Sequence, residues 1–205
     1  MQHKNNIQVN TPRVMFAATR SGSGKTTVDV WCAGSIKKQN IKVQAYKCGP
    51  DYIDPMFHRT VLGIDTGNLD TFFADADAIG RILARDTKDA ELIVMEGVMG
   101  YYDGVGGTTT MASSYELSKV TKTPVVLIVD AKGASVTLAA IIRGIMEYKK
   151  DSRIVGVDIK PCITDVLQPD QACDRDGMWD SSAWISAGRC IICGTIQTPW
   201  TAATG

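Results

Sequence analysis

Ser21-Gly-Ser-Gly24-Lys25-Thr26-Thr27 is the stretch that decides the fold. It stands between a short apolar run, residues 14–18, and a helical pattern from residue 26 to about residue 39. In a glycine-rich turn of this kind, backbone N–H groups point inward, and the helix N-terminus adds partial positive charge. The stretch therefore predicts a phosphate-binding turn, in which Lys25 reaches the β- and γ-phosphates and the Thr26 hydroxyl binds Mg²⁺.

One departure from the usual G-x-x-x-x-G-K-[ST] pattern is present, because Thr19 stands where the first glycine is expected. A plain Gly/Ser turn that caps a helix is the alternative interpretation. The order of strand, turn and helix favours phosphate binding over that alternative.

Apolar runs alternate with helical patterns on the C-terminal side of this turn. Further strands are predicted at residues 41–46, 92–95, 125–129 and 153–157, and further helices at residues 76–85 and 134–149. Strands that alternate with helices are typical of a parallel sheet with crossover helices. Residues 13–157 are thus predicted to form an α/β domain of the P-loop NTPase type, with a mostly parallel sheet flanked by helices.

The composition is that of a globular chain without a surplus of charge. The 205 residues include 22 Lys+Arg and 22 Asp+Glu, so the formal net charge is zero, and neither nucleic acid nor an anionic membrane is favoured as a partner. Residues 1–12 are polar, and no apolar run approaches the roughly 18 residues of a membrane span, which favours a cytoplasmic protein. The pair Cys190 and Cys193 has no second pair at zinc-site spacing, so no metal is predicted there.

Polar motifs follow the second and third predicted strands. Lys47-Cys-Gly-Pro-Asp51-Tyr-Ile-Asp54-Pro follows the second strand, and Glu96-Gly-Val-Met-Gly-Tyr-Tyr-Asp103-Gly follows the third. Gly, Pro and Asp also form ordinary turns. However, the carboxyl ends of parallel strands lie at the edge where ligands bind, and an acidic residue that ends a buried strand is placed to join the Mg²⁺ shell.

Three further features are weaker indications. Asp130-Ala-Lys132 follows the fourth strand at the same edge. Ser113-Ser-Tyr-Glu116 is explained sufficiently as the capping box of a helix. A lone histidine, His58, could be a general base but is more often structural.

Together these motifs resemble the cobyrinate a,c-diamide synthase family of corrin (cobalamin) biosynthesis. The resemblance covers residues 13–157 and includes SGSGKTT, VQAYKCGPDYIDP, GNLD at 67–70, EGVMGYYDG and VVLIVDAKG. Dethiobiotin synthetase and cobyric acid synthase look like more distant relatives that share the fold. The resemblance implies an ATP-dependent amidoligase, in which the γ-phosphate passes to a substrate carboxylate and ammonia attacks the acyl phosphate.

The resemblance also implies roles for individual residues, with ATP and Mg²⁺ as cofactors. The phosphates would be bound by Ser21, Gly22, Ser23, Gly24, Lys25, Thr26 and Thr27. Mg²⁺ would be bound by Thr26, Asp51 and Glu96. Catalysis would depend on Lys25, Asp54 and Asp103, while Tyr52 and Ile53 would contact the tetrapyrrole, a small-molecule carboxylate substrate.

Two departures from the family bear on these expectations. Arg20 stands where a small polar residue is expected. The family also carries a C-terminal glutamine amidotransferase domain that releases ammonia, and an adenine-reading Asn-Arg; Lys160-Pro161 stands near the place of the latter. We therefore expect an incomplete synthase without its own ammonia source. Whether the chain forms a homodimer is left open by the sequence.

Residues 158–205 differ in composition from the rest of the chain. They hold four of the six cysteines and three of the four tryptophans, but a single leucine, Leu167. In the reading frame that starts one nucleotide later, the codons of Met178-Trp179 before Asp180 must encode Cys-Gly. Because of its composition, this segment is predicted to be translated out of frame and to be poorly structured.

Alternative functions stay open at this point. The substrate could be a related tetrapyrrole, nickel-sirohydrochlorin or hydrogenobyrinate. A partitioning-type P-loop ATPase is a different class, which carries a lysine at the position of Arg20. A folded but inactive fragment is the third alternative.

Overall fold

The structure is a computed structural model that describes residues 9–51, 53–132, 134 and 136–160, together with two short strands in the last part of the chain. Nothing is described for the side chains of those two strands, nor for the side chains of Trp31, Asp54, Phe57 and Lys160. Most of the segment predicted to be out of frame lies outside the described residues, so that prediction stays a prediction.

The centre of the fold is a sheet of six parallel strands. In chain order they are β1 (Arg13–Ala18), β2 (Val43–Cys48), β3 (Thr66–Leu69), β4 (Leu92–Glu96), β5 (Val125–Asp130) and β6 (Ile154–Lys160). Across the sheet the order is β3-β2-β4-β1-β5-β6, and β8 (Arg189–Cys193) and β7 (Ala183–Ser186) follow antiparallel beyond β6. The predicted parallel α/β architecture is confirmed.

The helices and helical turns occupy the connections between the strands. They are α1 (Lys25–Lys37), α2 (Ile53–Phe57), a π-helical turn (His58–Leu62), α3 (Ala76–Asp86), a 3₁₀ turn (Val105–Gly107), α4 (Ser114–Val120) and α5 (Val136–Glu147). The three long helices begin and end within two residues of their predicted bounds. Among the described residues, no helix is long and apolar enough to cross a bilayer.

The sheet divides the apolar core into two layers. Met15 packs in one layer with Leu83 of α3, Leu117 of α4 and Ile142 of α5. Its neighbour Phe16 packs in the other layer, because successive strand residues point to opposite faces. That second layer contains Val28 of α1 and Ile128 of β5. Consequently α1 covers one face of the sheet, and α3, α4 and α5 cover the other.

Within the six-stranded parallel sheet, the sequence missed one strand and misplaced another. β3 was not predicted, because its residues TGNL carry little strand propensity; it exists because it pairs with β2, Ala45 opposite Thr66 and Cys48 opposite Leu69. β2 lies two residues further along the chain than predicted. As a result Lys47 belongs to a buried strand and not to a loop.

Candidate phosphate-binding site

The turn between β1 and α1 has the geometry that its glycines predict. Gly22 has a φ of +77° and Gly24 a φ of +85°, in the left-handed region that glycine adopts without a steric penalty. Gly24 is the N-cap of α1, and no side chain accepts a hydrogen bond at this helix start. The first N–H groups of α1 therefore suit an external anion, since a helix start leaves these donors without intrahelical acceptors.

Lys25 joins this turn to the segment that follows β4. Its ammonium donates to the Met99 carbonyl at 2.7 Å and to the Arg20 carbonyl at 3.4 Å. Only 8% of Lys25 is exposed. Burial lowers the pKa of Lys25, and the positive charge of Lys47 lowers it further, whereas Glu96 and Asp103 act in the opposite direction.

Glu96 is the point at which three elements converge. It is the last residue of β4 and is 1% exposed. The Thr26 hydroxyl of α1 donates to its Oε1 at 2.6 Å, and the Lys47 ammonium of β2 lies 2.8 Å from the same oxygen. Hydroxyl and carboxylate oxygens are the ligands that Mg²⁺ prefers, so the donor set fits a nucleotide-bound magnesium ion.

The place of Lys47 in this site was missed by the sequence reasoning. Lys47 and Glu96 are direct neighbours in the register between β2 and β4. A lysine beside an acidic residue on adjacent parallel strands would have been the signal, but it needs the strand order. The bounds predicted for β2 also ended before Lys47.

Asp51 lies on the same side of the site. Its Oδ2 is 3.9 Å from the Lys47 ammonium, and its Oδ1 accepts the Ile53 N–H at 2.9 Å. Ile53, the first residue of α2, has 79% of its surface exposed. Tyr52 and the side chain of Asp54 lie outside the described part of the chain, so their predicted roles stay predictions.

Asp103 is held beside the phosphate turn by a close backbone approach. It accepts the Gly100 N–H at 3.0 Å. A Cβ at Gly100 would lie 2.4 Å from Asp103 Oδ2 and 2.9 Å from the Thr19 carbonyl, so only glycine fits there. Asp103 also borders a cavity of about 510 Å³ that Tyr148 and Lys149 line.

Arg20 links the phosphate turn to the end of β5. Its guanidinium lies 3.0 Å from Asp130 Oδ2, and Asp130 Oδ1 accepts the Lys132 N–H at 3.0 Å. The Lys132 N–H and the Arg20 guanidinium both lower the pKa of Asp130. The polar cluster after β5 thus lies at the carboxyl edge of the sheet, where it was predicted.

His58 is buried behind the site. Its Nε2 lies 3.2 Å from Oδ2 of Asp29, a residue of α1 one turn after Lys25. A carboxylate oxygen of Asp29, an imidazole nitrogen of His58 and a carboxylate oxygen of Glu96 lie within 4.8 Å of one another.

Four features of this site define a P-loop nucleotide-binding domain. They are a strand, a turn with left-handed glycines, a helix that begins at a lysine, and an acidic residue that ends the adjacent strand. The sequence model of the family described as CobQ/CobB/MinD/ParA nucleotide binding domain matches residues 14–157. The chain belongs to this family.

Several curated relatives are named for tetrapyrrole amidation. The chain is 43% identical over 137 residues to the cobyrinate a,c-diamide synthase of Thermoplasma acidophilum, covering 67% of this chain and 31% of the relative. It is 38% identical over 145 residues to that of Priestia megaterium (71% and 32%). It is 36% identical over 154 residues to the hydrogenobyrinate a,c-diamide synthase of Streptomyces coelicolor (75% and 32%). The chain therefore spans about a third of the length of these relatives, and the resemblance seen in its motifs is confirmed.

A solved structure is also similar to this chain. Chloroplast FtsY from Physcomitrella patens matches with a TM-score of 0.52 and 14% identity, covering 73% of this chain and 50% of that one. At this identity the similarity concerns the fold alone.

Proposed function

We propose that this domain binds Mg·ATP at residues 21–27 and transfers the γ-phosphate to a carboxylate of a corrinoid, the activating half of an amidation. The observation that carries the proposal is the convergence of Thr26 and Lys47 on Glu96 beside Lys25. The similarity to synthases named for cobyrinate and hydrogenobyrinate supports a corrinoid as the acceptor of the phosphoryl group.

In this proposal the residues of the turn bind and neutralise the phosphates. The N–H groups at the start of α1 and the Lys25 ammonium contact the phosphate oxygens, and Lys47 adds a second positive charge close by. Thr26, Asp51 and Glu96 supply the oxygen ligands for magnesium. When bound, this ion neutralises charge that develops on the transferring phosphoryl group.

The chemical step is a phosphoryl transfer between two oxygens. A carboxylate oxygen of the acceptor attacks the γ-phosphorus, the bond to the β–γ bridging oxygen breaks, and ADP leaves. Ammonia then attacks the acyl carbon, inorganic phosphate leaves and the amide forms. Asp54 and Asp103 orient the reacting carboxylate or its metal, and Tyr52 and Ile53 contact the macrocycle.

The test is ATP turnover that depends on the acceptor. Purified protein is incubated with Mg·ATP, ammonium chloride and either cobyrinate or hydrogenobyrinate, while ADP and the amidated product are measured. We expect both products to form together and to be lost in Lys25→Ala. ATP turnover stimulated by DNA or by lipid vesicles, and not by either corrinoid, would support the partitioning-type ATPase instead.

A further inference from the structure

Two side chains on one side of helix α1 make polar contacts with the segment 53–63. Asp29 lies 3.2 Å from the His58 imidazole, and the Lys37 ammonium donates to the Leu62 and Gly63 carbonyls at 2.6 and 2.7 Å. Asp29 and Lys37 are eight residues apart, so they lie on the same side of α1. Ala33, midway between them, is fully buried. This stripe of α1 therefore faces the segment along about two helical turns.

The Asp29–His58 contact is the buried one of the two. Both side chains are almost wholly inaccessible, whereas Lys37 is exposed. Burying polar and charged groups costs free energy unless their partners are fixed in place. Breaking such a contact within the folded protein is costly, which favours one specific relation between the two elements.

His58 also begins a π-helical turn, residues His58–Leu62. Such turns are rare and occur frequently at functional sites. The His58 carbonyl accepts the Ile64 N–H at 3.2 Å, and the Arg59 carbonyl accepts the Gly63 N–H at 3.1 Å. The turn is therefore anchored at its start by Asp29 and closed by its own backbone.

The two elements that the contact joins serve different parts of the site. Asp29 lies one turn after Lys25, at the phosphate-binding end of α1. The segment that contains His58 begins with Ile53 and Met56, which expose 79% and 66% of their surface. Two exposed apolar side chains beyond the carboxyl end of β2 suit contact with the apolar part of a corrinoid, the proposed acceptor of the phosphoryl group.

We propose that Asp29 and His58 are a positioning pair, which fixes α2 relative to the phosphate turn and so sets where the acceptor binds. The acceptor side of this inference rests on the function proposed above. Loss of the pair displaces α2 while the phosphate turn, held by β1 and β4, keeps its shape. Acceptor binding therefore suffers and nucleotide binding does not.

The first test needs no catalysis. Amide hydrogen exchange is compared by NMR between the unmodified protein and the variants Asp29→Asn and His58→Gln. We expect exchange at Gly63 and Ile64 to rise by about tenfold or more, with the amides of α3 unchanged. Unchanged exchange at Gly63 and Ile64 in both variants would overturn the inference. This result does not depend on the proposed function.

The second test separates the acceptor from the nucleotide. In Asp29→Asn and His58→Gln we expect the KM of the corrinoid to rise about tenfold and the Kd of Mg·ATP to stay within about twofold. The double variant should be no worse than either single one, because both remove the same contact. Asp75→Ala, on the opposite face of the sheet, is the control for general loss of stability.

Two results of the second test would contradict a positioning role. Parallel losses of corrinoid and Mg·ATP binding, or losses equal to those of Asp75→Ala, would reduce the pair to a structural one. Stoichiometric Zn²⁺ binding that disappears in Asp29→Asn would make Asp29, His58 and Glu96 a metal site instead. If the unmodified protein turns over no corrinoid, the proposed function fails and hydrogen exchange alone decides the inference.

Discussion

Helix α1 begins differently from α3 and α4 on the opposite face of the sheet. On one face, α3 follows Asp75, whose carboxylate accepts the Ala78 N–H at 2.7 Å, and α4 follows Ser113, whose hydroxyl accepts the Glu116 N–H at 3.2 Å. On the other face, α1 follows Gly24, and no side chain caps its first turn. The starts of α3 and α4 are thus capped by side chains, whereas the first N–H groups of α1 have no side-chain cap and suit an external anion.

The buried residues beside these helices differ in the same way. The core under α3, α4 and α5 is largely apolar, with Tyr101 and Tyr115 packed edge to face. Near α1 lie the buried charged groups of Lys25, Lys47 and Glu96. We infer that one face mainly stabilises the fold and the other mainly positions chemical groups, and the next four experiments test that division.

The largest expected effect is the loss of nucleotide binding in Lys25→Ala. Removing a charged donor to the phosphates should weaken Mg·ATP by at least about a hundredfold, roughly 2.7 kcal/mol. Isothermal titration measures the affinity, and circular dichroism checks that the fold is kept. Undiminished affinity would refute the assignment of residues 21–27 to phosphate binding.

A smaller effect is expected for Gly24→Ala. Alanine at a φ of +85° is strained by about 1–2 kcal/mol. The turn should relax away from this geometry, with about a tenfold loss of Mg·ATP affinity. Gly144→Ala is the matched control: nothing lies within 4 Å of an added Cβ in α5, so stability should rise by up to about 1 kcal/mol. Equal Mg·ATP affinities in the two variants would show that the left-handed conformation of Gly24 does not matter for nucleotide binding.

Asp75→Ala should lower stability without touching the nucleotide. Loss of this N-cap removes the acceptor of the Ala78 N–H, at a cost of about 1 kcal/mol in the free energy of unfolding. Urea denaturation measures the loss, and titration with Mg·ATP should give the unmodified affinity. A change in that affinity would show that the two faces are coupled.

The smallest effect concerns Asp151, which accepts from Tyr115 at 2.7 Å and lies 2.9 Å from the Lys119 ammonium of α4. Lys119 first, and then Tyr115, lower the pKa of Asp151 to about 2 from its ordinary 3.8. Because the folded pKa is the lower one, the contribution to stability is complete above about pH 3.8 and is lost as pH falls towards 2. The difference in unfolding free energy between the unmodified protein and Asp151→Asn should therefore shrink over this range. A difference independent of pH would exclude the charge as its source.

Local patterns were enough to predict the fold class and the phosphate turn. The strand before Ser21 and the helix after Lys25 are encoded within about twenty residues, and Ser113 with Glu116 predicted the start of α4. Glu96 could be placed at a strand end because its strand is continuously apolar.

Long-range pairing decided what the sequence did not show. β3 depends on β2 for its existence, and the meeting of Lys47 with Glu96 depends on the order of strands. The Asp29–His58 contact joins residues from two elements, and the second of these, α2 with its π-helical turn, was not predicted. No local pattern contains such information, because it lies in the register between distant segments.

The order of strands has a consequence for synthesis on the ribosome. Met15 of β1 pairs with Met95 on one side and with Val125 on the other, which are 95 − 15 = 80 and 125 − 15 = 110 positions later. At about 5–20 residues per second, the first strand waits on the order of 5 to 20 seconds for both neighbours. The turn made earliest is thus completed late, and a nascent chain that ends before β4 lacks the Met99 and Glu96 contacts around Lys25.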